Sequence, residues 1–169
     1  MGILATALMA MAQLFTLATT QNLSSRSATT ATILARQKVE QLRSLTWGFD
    51  AAGLPVSDFS SDTTADPPSP AGGTGLSAAA SNTLDQSLTG YVDYLGREGQ
   101  SLGTGATPPA GTVYVRRWSI EPLPTNPNNT LILQVLVYRV NTRPDNGGDA
   151  MLRRPDEARL TTIKTRKAL

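Results

Sequence analysis

The residues that carry most enzyme chemistry are missing from this sequence: it contains no histidine and no cysteine. Without histidine the side chain that changes charge nearest neutrality is absent, so neither a Ser-His-Asp triad nor a histidine zinc site can be built. Without cysteine there is no disulfide framework, thiolate nucleophile or soft metal site. The 13 acidic residues include no close pair set among apolar neighbours, the arrangement that splits two carboxyl pKa values for acid–base work. Asp145-Asn146-Gly147-Gly148-Asp149 has oxygen ligands at short spacing. It lacks the longer series and the closing Glu of a calcium EF-hand, and it reads as a turn between strands. Arg116-Arg117 and Arg153-Arg154 are basic doublets. Neighbours in a strand face opposite ways, so Arg116 and Arg117 form no single patch. Solvated surface is expected for these doublets, with at most one Arg in a local ion pair. Met1-Gly2-Ile3-Leu4-Ala5-Thr6 matches the N-myristoylation pattern, but an acyl chain adds little to a segment already this apolar. No catalytic residue, cofactor or metal site is assigned, and an enzyme is not expected.

Composition bounds the rest. A length of 169 residues suits one domain with its own core. Charged residues make up 17% and aromatics 5%, while Gly, Pro, Ser and Thr are plentiful, so the core should be modest and the loops many. A net charge of only +2 gives no reason to expect a specific nucleic acid partner, and nothing points to a small-molecule substrate.

The elements that must position any functional surface begin with one long helix. Residues 1–25 carry no charge, and Ile3 to Ala18 is apolar apart from Thr6, Gln13 and Thr16. Ala, Leu and Met dominate, and no proline occurs before Pro55. From residue 26 the pattern becomes amphipathic. Ala31, Leu34, Ala35, Leu42 and Leu45 share one face, while Arg36, Gln37, Glu40, Gln41 and Arg43 lie mostly on the other. Trp47-Gly48 supplies a stop, with Gly48 as C-cap. The helix predicted from about Gly2 to Thr46 is roughly 65–70 Å long, whereas a globule of this size is about 30–35 Å across. About half of it must protrude, and the protruding half is the apolar one. Its first half, 1–25, is a membrane or filament-core segment, with Leu4, Leu8, Met11, Leu14 and Phe15 as candidate contacts. Its second half, 26–47, packs on a sheet through Leu34, Leu42, Leu45 and Trp47. The weak helix formers Asn22 to Ser25, Thr29, Thr30 and Thr32 predict a bend or looseness between the halves.

Residues 48–112 are turn-rich, with one short strand at 91–95 running into the turn Gly96-Arg97-Glu98-Gly99. Residues 113–169 hold three β-branched runs: Val113 to Ile120, Thr130 to Val140 and Arg159 to Arg166. Turn-rich links between them predict an antiparallel meander. The fold class is therefore α+β: a long protruding N-terminal helix packed by its second half on a small antiparallel sheet of three or four strands.

This order of features resembles the minor pilins of type IV pili, specifically the type IV pilus modification protein class, and the minor pseudopilins of type II secretion. The resemblance lies in Ala10-Met-Ala-Gln-Leu-Phe-Thr-Leu-Ala18 and in Ala31-Thr-Ile-Leu-Ala-Arg-Gln-Lys-Val-Glu-Gln-Leu-Arg-Ser-Leu45, with a weaker echo in Leu160 to Lys167. It covers about a third of the chain. It implies a pilin-like fold and an anchor in the bacterial inner membrane, with the head domain in the periplasm or, once assembled, on an extracellular filament serving adhesion or motility. Other pilin or pseudopilin subunits are the implied partners, and Gly2, Ala5, Ala7, Ala10 and Ala12 would allow close helix approach. The family's basic leader, its Gly-Phe-type processing site and the glutamate after it are not present, so Met1 is expected to be an internal start. The alternative is a membrane-anchored extracytoplasmic binding module outside pilus biology, with recognition carried by the loops Ser60–Ala80 and Gly99–Gly111.

Overall fold

The structure, a computed structural model, describes the backbone of residues 2–79, 83–140 and 156–168, and the side chains of these apart from 2–8 and 168. A single helix, α1 (Gly2–Ser44), runs unbroken through the threonine-rich region where a bend was expected. The hydroxyls of Thr29, Thr30 and Thr32 each donate to the carbonyl four residues earlier, at 2.9, 3.0 and 2.8 Å, so the side chains that compete with the helix elsewhere are tied into it. At 1.5 Å per residue α1 is about 65 Å long. It ends at Ser44, not Thr46. Trp47-Gly48 is not its cap: both residues belong to strand β1 (Trp47–Phe49), and Gly48 is extended.

β1 sits in a three-stranded sheet between β2 (Pro55–Ser57), which it pairs antiparallel, and β8 (Lys167–Ala168), which it pairs parallel. The main sheet has five strands, not three or four. Its order is β4 (Ser101–Gly103), β3 (Val92–Leu95), β5 (Tyr114–Pro122), β6 (Thr130–Arg139) and β7 (Ala158–Thr165), antiparallel throughout. The expected meander is β5-β6-β7. Gly96 to Gly99 is the turn of the β3–β4 hairpin, where Gly99 takes a left-handed φ of 84°.

Strand alternation sorts the sheet residues onto two faces, and both faces are covered. Leu95, Tyr114, Trp118, Ile120, Leu133 and Val135 form the face under α1. Ala31, Leu34, Ala35, Val39 and Leu42 of the helix meet them there. Val92, Tyr94, Val115, Leu136 and Tyr138 face the other way, closed over by Leu84. The result is the helix-on-sheet α+β architecture that the sequence implies, compatible with a pilin-like fold.

Candidate functional site

The helix divides sharply by environment. Every side chain from Met9 to Leu23 is exposed, and Ser27 is the first buried one. Met11 is 59%, Leu14 65% and Phe15 75% exposed, so these three candidates stand free on the projecting half. The side chains of Leu4 and Leu8 lie outside the described residues. The polar interruptions are partly internalised. Thr16, Thr19 and Thr20 donate to Ala12, Phe15 and Thr16 carbonyls at 2.9, 2.8 and 3.0 Å. A helix whose hydroxyls are satisfied internally can enter an apolar environment without stranding them. No helix among the described residues is long and apolar enough to cross a membrane.

The other half is fixed to the head. Leu34 and Leu42 are buried, Leu45 packs partly buried against the same cluster, and Trp47 closes its end. Trp47 donates its indole N–H to Asn129 O at 3.2 Å and meets Phe59 edge-on at 6.3 Å. The Arg166 guanidinium lies over the Trp47 ring at 3.7 Å. From there it bonds the carbonyls of Asn128, Gly48 and Val56 at 2.7, 3.1 and 3.1 Å, tying the end of the chain to the helix exit.

At the centre of the helix–sheet interface sits a cluster of buried charge. Asp93 on β3 is directly opposite Arg116 on β5 in the strand register, so the two share the helix face. Arg116 Nε donates to Asp93 Oδ1 at 2.9 Å and its Nη2 to Oδ2 at 2.7 Å, while Nη1 reaches the Leu34 carbonyl of α1 at 3.1 Å. From the helix, Lys38 Nζ comes within 2.9 Å of Asp93 Oδ2, with both side chains fully buried. The same ammonium donates to the Thr63 carbonyl and sits 4.2 Å from the centre of the Trp118 ring. Two cations thus share one carboxylate. Burial pushes the Lys38 ammonium down to about 8; Asp93 opposes the shift and Arg116 adds to it. The expectation of solvated arginines is therefore wrong for Arg116-Arg117, since both are buried. Arg117 points to the opposite face, where it bonds Leu84 O at 3.3 Å and Ser87 Oγ at 2.9 Å. Arg153-Arg154 and Asp145 to Asp149 lie outside the described residues.

The loop 58–76 closes over Lys38. Asp58 organises it by accepting from the Ser60 and Ser61 N–H groups and from Ser61 Oγ at 3.1, 3.0 and 2.6 Å. Burial raises the Asp58 carboxyl pKa, but these bonds, led by the Ser61 hydroxyl, outweigh it and leave a net lowering. The loop also receives the helix side chains Gln37, on Asp66 Oδ2 at 2.8 Å, and Gln41, on Ala65 O at 3.1 Å. A crevice of about 290 Å³ remains between loop and helix, lined by Glu40, Asp66 and Arg116 among others. Among the described residues no group of three or more side chains is placed to hold a metal ion. Lys38 and Asp93 are the residues that sequence reasoning missed. Lys38 does fall on the buried stripe, four after Leu34 and four before Leu42, and that spacing was the available signal. No protein-family model, curated protein or solved structure matches the chain.

Proposed function

We propose that this chain is a structural, non-catalytic subunit of the minor pilin or pseudopilin kind, held by its projecting helix and assembled into, or priming, a type IV pilus or type II secretion pseudopilus. One observation carries the reading. The apolar half of α1 is exposed from Met9 to Leu23, while the half from Ser27 onward is bound to the head by a continuous core and a buried ion cluster. A rigid head on an uncovered apolar rod suits exchange of lipid contacts for contacts with neighbouring helices. Other pilin subunits and the bacterial inner membrane are the proposed surroundings of the rod, and the periplasm or filament surface that of the head.

The test places a photo-crosslinking side chain at Leu14 or Phe15 in the full chain, in cells that express a pilus or secretion system. Crosslinks to pilin subunits, lost when Leu14→Glu is combined with the probe at Phe15, are the expected result. A chain lacking residues 1–25 that is soluble, monomeric and fully active in assembly would refute the reading.

A further inference from the structure

The outer edge of β7 carries features of a strand-acceptor site. Thr161, Ile163 and Thr165 are exposed, Ile163 to 59%. Their backbone polar groups also point away from the sheet, as two hydrogen bonds show. Arg166 N donates to Asn129 O at 2.8 Å, one position beyond the paired residues Thr130 and Thr165. The Thr130 carbonyl is taken by Leu123 N at 2.9 Å on the β5 side. Hydrogen-bonded and non-bonded pairs alternate in an antiparallel ladder. Lys164 and Thr162 therefore bond to β6, and Thr161, Ile163 and Thr165 direct their N–H and C=O groups to the free edge. β7 is the outermost strand of its sheet, and among the described residues none of these three has a backbone partner on that side.

A groove of about 590 Å³ runs along this edge, lined by Ile163, Lys164 and Thr165 together with Arg43, Trp47 and Lys167. Successive strand residues point to opposite faces, so a groove touched by three in a row opens onto the edge itself. Its charge is mainly positive: Arg43, Lys164 and Lys167 stand against Glu40, which pairs with Arg43 at 3.3 Å. A lysine on an edge strand often guards against pairing, but Lys164 turns under the helix and donates to the Arg43 carbonyl, leaving the edge open.

We propose that the β7 edge binds an extended segment of a partner protein as an added strand, with acidic side chains alternating with apolar ones. The carboxylates would lie on the helix face beside Lys164 and Arg43, and the apolar side chains beside Ile163. A second copy of this chain is a poor occupant, because pairing two β7 edges brings Lys164, Lys167 and Arg43 of both copies together. The proposal goes beyond the filament reading and is independent of it.

The probe is a short fluorescein-labelled peptide alternating Glu and Val, titrated against the full chain in mild detergent and read by fluorescence polarisation. Binding is expected. It should weaken about tenfold, the worth of one or two backbone hydrogen bonds, when alternate peptide amides are N-methylated. It should weaken similarly with Ile163→Pro, which removes an outward N–H and spares the bonds to β6. Replacing Glu by Lys in the peptide should abolish it, and Lys167→Glu should reduce it. The proposal is overturned if the Glu-Val peptide does not bind, or if the N-methylated peptide binds as well as the parent. The second outcome needs no variant, so it decides the matter even if Ile163→Pro fails to fold.

Discussion

Replacing Asp93 by Asn tests whether the buried cluster is held by one carboxylate between two cations. Asp93 is fully buried and takes three bonds from Arg116, at 2.9, 3.2 and 2.7 Å, and one ionic contact from Lys38 at 2.9 Å. Asn keeps the shape but turns an NH2 group toward donors and removes the negative charge that the two cations share. Removing one partner from a buried ion pair costs about 3–5 kcal/mol. Lys38 can limit the loss by shedding its proton, since burial already weakens its hold on it. Arg116 cannot. For a chain of this size the expected fall in Tm is roughly 6–20 °C. Lys38→Met makes the opposite change. It leaves Asp93 and Arg116 as a balanced pair and removes a desolvated ammonium, at the cost of leaving the Thr63 carbonyl without its donor. At pH 7 its stability should lie within about 1 kcal/mol of the parent. Urea and thermal unfolding of both variants, followed by tryptophan fluorescence with Trp118 beside Lys38 as reporter, measure the difference. If Lys38→Met proves as damaging as Asp93→Asn, the view of Lys38 as a surplus buried cation is wrong.

The same cluster sets a pH dependence. The Lys38 pKa falls to about 8 in the fold from 10.5 in the free side chain, so between these values the unfolded chain holds more protons. Stability should therefore rise with pH across that window, by up to about 3 kcal/mol. Lys164 is lowered by burial and shifts stability in the same direction, whereas burial raises Tyr91 and lowers stability as pH climbs past 10.0. Urea titrations from pH 7 to pH 10 should show the rise, and Lys38→Met should remove most of it. Gly73→Ala would set a Cβ 2.3 Å from Asp62 Cα, against backbone that cannot swing aside. It should displace the loop 58–76, lower stability by about 1–3 kcal/mol and speed proteolysis between residues 58 and 76. Arg166→Ala loses the stack on Trp47 and three carbonyl bonds. The expected loss is about 1–2 kcal/mol, with faster amide exchange in β1.

The helix, the three C-terminal strands and the hairpin turn are legible because each is a local pattern: helical spacing from Ala31 to Leu42, β-branched runs, and Gly96 to Gly99 at a reversal. The short strands are not. β1, β2 and β4 have three residues each and β8 two, too few to show a period. β1, β2 and β8 pair with one another and β4 pairs with β3, so they exist through pairing and not through a pattern of their own. Trp47-Gly48 illustrates the conflict. Local chemistry reads it as a helix stop, but pairing with Ser57, Val56 and Lys167 makes it strand.

The division of α1 follows from residue order alone. The uncharged stretch before Arg26 and the amphipathic stripe after it are properties of residue order, and the length of the helix against the size of the head requires one half to project. The fate of the charges, by contrast, follows from packing and register. Lys38, Asp93 and Arg116 are separated by 55 and 23 positions, and each alone looks like a solvated polar residue. Strand register sets Asp93 opposite Arg116, and helix packing delivers Lys38 to the same point. Burial then makes the cost of leaving any of them unpaired larger than the cost of bringing them together.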